Sequence, residues 1–180
     1  LGCVIGGITV TGLNPDSQQG DKVILEILQR CGGKFKAVDG GYRFSRSLLR
    51  ATEIDLADCP DLGPVLFTLG CFCSGETIIR NAGRLRLKES DRIEAMQSEL
   101  KKMGARIEVE GDEVHITGVA LHAPNGTLFG HNDHRIVMAL AVAAAASGLP
   151  ALISGAEAVN KSWPAFWDTL RGLGAKVEFD

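Results

Sequence analysis

Three segments of this chain share one pattern at a nearly fixed interval, and that repeat limits the fold more than any other feature. LQRCGGKF (28–35), LKKMGARI (100–107) and LRGLGAKV (170–177) each read as the end of an amphipathic helix, a glycine, then a strand. Gly32, Gly104 and Gly174 align, 72 and 70 residues apart. Glycine at that point suits a left-handed helix C-cap. Upstream of each lies a strand ending near glycine: ITVTG (8–12), TIIRNAG (77–83) and ALISG (151–155), with Gly12, Gly83 and Gly155 in register. Agreement of three registers within two residues argues against chance.

Between strand and C-cap glycine the spacing predicts a helix. In the second copy Ile93, Met96, Leu100 and Met103 fall on one helical face. A second helix closes each unit. PDLGPVLFTLGCFCSG (60–75) and NDHRIVMALAVAAAASG (132–148) both begin near an Asp and end on Ser-Gly. They are apolar nearly all round, so they belong in a core. LGCVIGG (1–7) resembles LGCFCSG (69–75), the end of such a helix, and implies that a helix start is missing. The expectation is one α/β (α+β) domain over residues 1–180. Its units of strand, amphipathic helix, two strands and buried helix run over 8–75 and 76–148, with an incomplete third at 149–180 plus 1–7. Buried helices form the centre and sheets lie outside. The cut-off unit suggests a piece of a longer protein.

Composition excludes several classes. A net charge of −3 gives no overall pull toward nucleic acid or anionic lipid. No aromatic residue occurs from 73 to 128, so base-stacking platforms are absent there. The apolar run 136–146 is too short to cross a bilayer. Cys3, Cys31, Cys59, Cys71 and Cys73 form no CxxC pair, which suggests reduced thiols in a cytoplasmic protein.

Charge is concentrated in RLRLKESDRIEAM (84–96), where Arg84, Arg86, Lys88 and Arg92 surround Glu89 and Asp91. One reading is a solvated face of paired charges. The other is a strand-to-helix loop gathering cations for an anionic ligand, since helix N-termini favour anions and Arg grips carboxylate or phosphate bidentately. The repeat supports the second reading. Gln19, Asp91 and Lys161 each lie thirteen residues before a C-cap glycine. Asp61 and the cluster Asp133-His134-Arg135 open the apolar helices. Taken alone, Asp61 after Pro60 reads as an N-cap. HNDH (131–134) offers two His and an Asp, but no further ligand cluster supports a metal, and His134 reads as a cap or an orienter of Arg135. Trp163, Phe166 and Trp167 read as core.

SQQGD (17–21), PD (60–61), RLKESDRI (86–93), NDHRIVMA (132–139) and NKSWPAF (160–166) together resemble the enolpyruvyl transferases. The similarity is greatest to the C-terminal half of the EPSP synthase (3-phosphoshikimate 1-carboxyvinyltransferase) branch and covers essentially the whole chain. It implies repeated βαβαββ units in an inside-out α/β barrel. It further implies transfer of the carboxyvinyl group of phosphoenolpyruvate to the 5-hydroxyl of shikimate 3-phosphate, by addition and then elimination of phosphate, without metal or organic cofactor. By motif position, Asp61 is implied as proton acceptor and contact to the shikimate phosphate. Glu89 is implied as proton donor, and Lys88 as a contact to the shikimate phosphate that shares in proton transfer. Arg92, Arg135 and Lys161 are implied as phosphoenolpyruvate ligands. Where some members carry an Asn against the shikimate substrate, this chain has Arg84. The resemblance also implies an absent N-terminal domain as partner, without which the isolated chain is inactive. Two alternatives stand beside it: a UDP-N-acetylglucosamine 1-carboxyvinyltransferase domain, against which KESDR and NDHR argue, and a non-catalytic binding module on the same repeats.

Overall fold

In the computed structural model, which describes residues 1–14 and 16–179, two nearly all-apolar helices lie side by side and the sheets lean on them from outside. The chain begins with a short helix α1 (Gly2–Ile5), then strand β1 (Thr9–Thr11). A 3-10 turn (Gly20–Val23) leads into α2 (Ile24–Arg30), followed by the hairpin β2 (Lys34–Val38) and β3 (Gly41–Ser45). The next stretch holds β4 (Glu53–Asp55), a 3-10 turn (Pro60–Leu62), α3 (Gly63–Cys71) and β5 (Glu76–Arg80). A longer 3-10 segment (Ala82–Leu87) precedes α4 (Arg92–Lys102) and the hairpin β6 (Arg106–Glu110) and β7 (Glu113–Thr117). Last come β8 (Leu128–Phe129), α5 (His134–Ser147), β9 (Ile153–Ser154), a 3-10 segment (Ala156–Lys161) and α6 (Phe166–Gly172).

The repeat is visible in backbone angles as well as in element order. Gly32, Gly104 and Gly174 have φ of 81, 85 and 98°, left-handed turns that end α2, α4 and α6. Upstream the register is only partly kept. Gly12 and Gly155 are left-handed, but in the middle unit Asn81 takes that turn (φ 56°). Gly83 serves another need: a Cβ there would stand 2.5 Å from the Asp112 carboxylate.

Two short strands, β4 and β8, are additional to the expected unit. Each pairs in parallel with the strand that follows the next buried helix, Ile54 opposite Ile79 and Leu128 opposite Ile153. Counted from β4, the order β4-α3-β5-α4-β6-β7 is βαβαββ. It encloses one complete four-stranded sheet, β4-β5-β7-β6, within residues 53–117. Counted that way, each sheet lies inside one unit. The three-stranded sheet β1-β3-β2 and the β8-β9 pair are the neighbouring copies. The strand expected after Gly174 does not form. Residues 175–179 are held instead by α6, through a hydrogen bond from Arg171 Nε to the Val177 carbonyl (3.1 Å) and the Trp167–Phe179 ring contact.

The core follows the sequence pattern. Ile93, Met96, Leu100 and Met103 are at most 1% exposed, and on α3 and α5 buried positions lie on more than one face. α3 and α5 pack together, and Thr68 Oγ1 donates across to the Ala139 carbonyl (3.1 Å), which meets the hydroxyl's need for a partner in an apolar centre. β6 alternates exposed and buried side chains over its first half, as a sheet with one wet face does. All five cysteines are buried free thiols. Phe166 is buried and Trp167 partly so, whereas Trp163 is 45% exposed. No helix among the described residues is long and apolar enough to cross a membrane.

Candidate functional site

The starts of α3, α4 and α5 meet at one end of the domain, and their leading residues form a single charged cluster. Gly63 permits part of this approach. A Cβ there would stand 2.6 Å from the buried Leu85 side chain, so glycine lets the segment Ala82–Leu87 lie against the start of α3. Lys88 is thereby carried to Asp61.

Asp61 is the hub. Its carboxylate takes Lys88 Nζ at 3.1 Å, Arg92 Nη1 at 3.0 Å and Arg135 Nη2 at 3.3 Å. Arg135 Nη1 also donates to the Asp61 carbonyl (2.9 Å). No side-chain cap bond runs from Asp61 to α3, so capping does not account for it. Burial pushes the Asp61 carboxyl up, but hydrogen bonds and charge from Lys88, Arg135 and Arg92 outweigh it and hold the group below the ordinary Asp value.

Arg92 lies beneath the hub, 1% exposed. Its guanidinium reaches Asp61, Glu89 Oε2 (2.6 Å) and Asp133 Oδ2 (2.8 Å). Asp133, fully buried, also takes Ser90 Oγ at 3.1 Å and the Arg135 amide at 2.9 Å, the latter capping α5. Burial raises the Asp133 carboxyl, and the Arg92 bonds and charge with the other donors bring it below the usual value. Arg92 therefore joins three carboxylates. It lies under the cluster and ties Asp61, Glu89 and Asp133 together.

Lys161 is brought in by a different route. Its Nζ donates to the carbonyl (2.6 Å) and the side-chain Oδ1 (2.7 Å) of Asn132, the residue before Asp133. His131 and Asn132 are both left-handed, with φ of 50 and 52°. That conformation costs roughly 1–2 kcal/mol for a residue carrying a Cβ, less for Asn. It turns the chain sharply into α5.

Of the four cations in 84–92, only Lys88 and Arg92 join the cluster. Arg84 Nη1 donates to the Ala57 carbonyl (3.1 Å), on the loop leading to Asp61. Arg86 holds Asp91 Oδ2 (3.1 Å) and the Gly111 carbonyl (3.3 Å). Asp91 accepts from the amides of Ile93 and Glu94 and so caps α4. Gln19 caps its 3-10 turn with no side-chain bond. Lys161 ends a 3-10 segment ahead of α6 rather than opening the helix. Lys88 and Arg92 thus join the cluster, while Arg84 and Arg86 bond to neighbouring segments. His134 neither caps α5 nor holds Arg135; its Nδ1 is buried without a partner among the described residues. Nor do three His, Cys, Asp or Glu side chains gather in metal-binding geometry among those residues.

Asp61, Glu89 and Asp133 face Lys88, Arg92 and Arg135, three charges against three, and Lys161 adds a fourth cation. The arrangement offers an ionised acid at Asp61, a half-exposed second carboxyl at Glu89 and two partly exposed cations, Lys88 and Arg135. Sequence reasoning missed the tie of Asp133 to Arg92 and the roles of Ser90 and Asn132. A buried Asp after two left-handed residues is a signal visible only in three dimensions.

Comparison with known proteins identifies the family. The family profile described as EPSP synthase (3-phosphoshikimate 1-carboxyvinyltransferase) matches residues 2–170. A 3-phosphoshikimate 1-carboxyvinyltransferase of Brachyspira hyodysenteriae is 44% identical over 98% of this chain and 42% of its own length. One from Clostridium kluyveri is 40% identical over 99% and 42%. The solved EPSP synthase of Acinetobacter baumannii superposes with TM-score 0.75 at 25% identity, covering 95% of this chain and 42% of that one. The enolpyruvyl transferase NikO of Streptomyces tendae shares the fold, with TM-score 0.73 at 22% identity over 88% and 36%. The chain thus spans about two-fifths of the length of these relatives, and it belongs to the EPSP synthase family.

Proposed function

We propose that this chain forms the C-terminal half of an enzyme that moves the carboxyvinyl group of phosphoenolpyruvate onto the 5-hydroxyl of shikimate 3-phosphate in the cytoplasm. A second domain, of the kind its longer relatives have room for, supplies the rest of the site. The observation that carries this reading is the Asp61 carboxylate held among Lys88, Arg92 and Arg135, with Glu89 on the same guanidinium.

In this reading Asp61, ionised at neutral pH, accepts the proton of the attacking 5-hydroxyl. Its oxygen bonds to C2 of phosphoenolpyruvate while Glu89 protonates the methylene carbon. The tetrahedral adduct then returns a proton from the new methyl group to Glu89, and the carbon–oxygen bond to phosphate breaks as the carbon–carbon double bond re-forms. Lys88 faces the shikimate phosphate, Arg135 and Lys161 hold phosphoenolpyruvate, and Arg92 keeps both carboxylates in place. Arg84, tied to Ala57, contributes a cation near the phosphorylated substrate. Fixed cations of this kind offset the repulsion of two polyanions and stabilise charge as it develops.

The test is kinetic. In the full-length protein carrying this chain, Asp61→Asn and Glu89→Gln should each lower kcat by roughly 10²–10⁴-fold, the usual worth of general acid–base groups. The isolated chain should show negligible turnover. Both variants at wild-type rate would refute the assignment.

A further inference from the structure

One buried carboxylate stands outside the cluster just described. Glu99, on α4, is 3% exposed. It accepts from Lys102 Nζ (2.6 Å), from the Phe129 amide (2.8 Å) and from His131 Nε2 (3.2 Å). Lys102 in turn donates to the Thr127 carbonyl (3.0 Å) and sits over the Phe129 ring, 4.5 Å from its centre. Apart from its own helical neighbours, everything this carboxylate holds belongs to residues 127–131. A buried charge persists only when its partners offset its desolvation, so this segment and α4 are clamped together.

The clamped segment runs straight into the left-handed pair His131 and Asn132. Beyond Asn81 these are the only non-glycine residues with positive φ among those described. Such backbone persists where its surroundings over-determine it. Asn132 then offers two oxygens to Lys161. Lys88, Arg92 and Arg135 are each paired with Asp61, but Lys161 rests on neutral acceptors and forms no ion pair among the described residues. Its charge is oriented yet uncompensated.

We propose that Glu99 is a positioning residue. Through Phe129 and His131 it fixes the Asn132 turn, and that turn aims Lys161 as the first docking point for a phosphate or carboxylate group of the ligand. The inference rests on the anion-binding reading of the site given above and adds the residues that hold Lys161, which forms no ion pair among the described residues.

Two variants test it in this chain. Glu99→Gln keeps the shape but cannot accept from both Lys102 and His131. Asn132→Gly takes the left-handed turn without strain but loses one of the two oxygens. The first readout is the nuclear Overhauser contact between the Lys161 side chain and Asn132 in the ligand-free protein. The second is affinity for inorganic phosphate. In Glu99→Gln the contact should be lost, with phosphate binding about tenfold weaker, the scale of one hydrogen bond to a charged group. In Asn132→Gly the thermal midpoint should hold while phosphate affinity falls by a similar factor, a split that a purely structural role does not produce. Retention of the Lys161–Asn132 contact in Glu99→Gln, or unchanged phosphate affinity in Asn132→Gly, overturns the proposal. If Glu99→Gln does not fold, Asn132→Gly decides. Failure of the wild-type chain to bind phosphate would refute the anion site, and the Lys161–Asn132 contact in Glu99→Gln would still decide the brace.

Discussion

Two arginine–carboxylate networks in this molecule have nearly the same distances and opposite settings. On the outer sheet Arg80 bridges Glu53 (3.2 Å) and Glu113 (2.6 Å), with its side chain 44% exposed. At the helix starts Arg92 bridges Asp61, Glu89 and Asp133 over 2.6 to 3.0 Å, 1% exposed. Bond length does not separate them; water does. On the sheet, solvent and salt screen the pairs and leave them weak. Under the site, the Arg92 guanidinium and the Asp133 carboxylate are shut away from water, so each depends on the other as a partner.

This contrast breaks first at Arg92. Arg92→Ala strands the fully buried Asp133 and should cost about 3–5 kcal/mol of unfolding free energy, measured by urea denaturation. A loss no larger than that of a surface variant would erase the distinction.

Acid sharpens the comparison. Asp61, Glu99 and Asp133 all have carboxyls lowered from their ordinary values of 3.8, 4.5 and 3.8. The folded state therefore binds fewer protons than the unfolded chain in that range. Their stabilisation should be complete above about pH 5 and disappear as pH falls below 4, through the depressed folded values. A urea midpoint that is flat down to pH 3 would contradict this.

The smallest effect belongs to the sheet. Arg80→Ala should leave the urea midpoint at neutral pH within experimental scatter, and the acid profile should keep its wild-type slope.

What the sequence discloses and what it hides divides along similar lines. The C-cap glycines, the Ile93–Met103 face and the apolar helices are local, periodic signals, and the structure carries each of them. β4 and β8 were hidden because strands of three and two residues leave no alternation to detect. The failed strand after Gly174 shows that a strand pattern needs a partner, which here is replaced by α6. Asp61, Lys88, Arg92 and Arg135 were readable as site candidates from their places at helix starts, but their division of labour was not. Arg86 and Lys88 look alike in RLRLKESDR, yet a 3-10 segment sends one to Gly111 and the other to Asp61. Glu99 reads as an ordinary surface acid in MQSELKK, and only the approach of residues 127–131 buries it.

The central claim is that Arg135 and Lys161, brought together from two separate segments, act on one anionic ligand. Titrating phosphoenolpyruvate into this chain, with lysine and arginine side-chain resonances followed by NMR, tests it most directly. The account predicts one saturable curve shared by Arg135 and Lys161, with Arg80 unmoved. Shifts spread equally over Arg80 and the site cations, or no saturable shift at all, would contradict it.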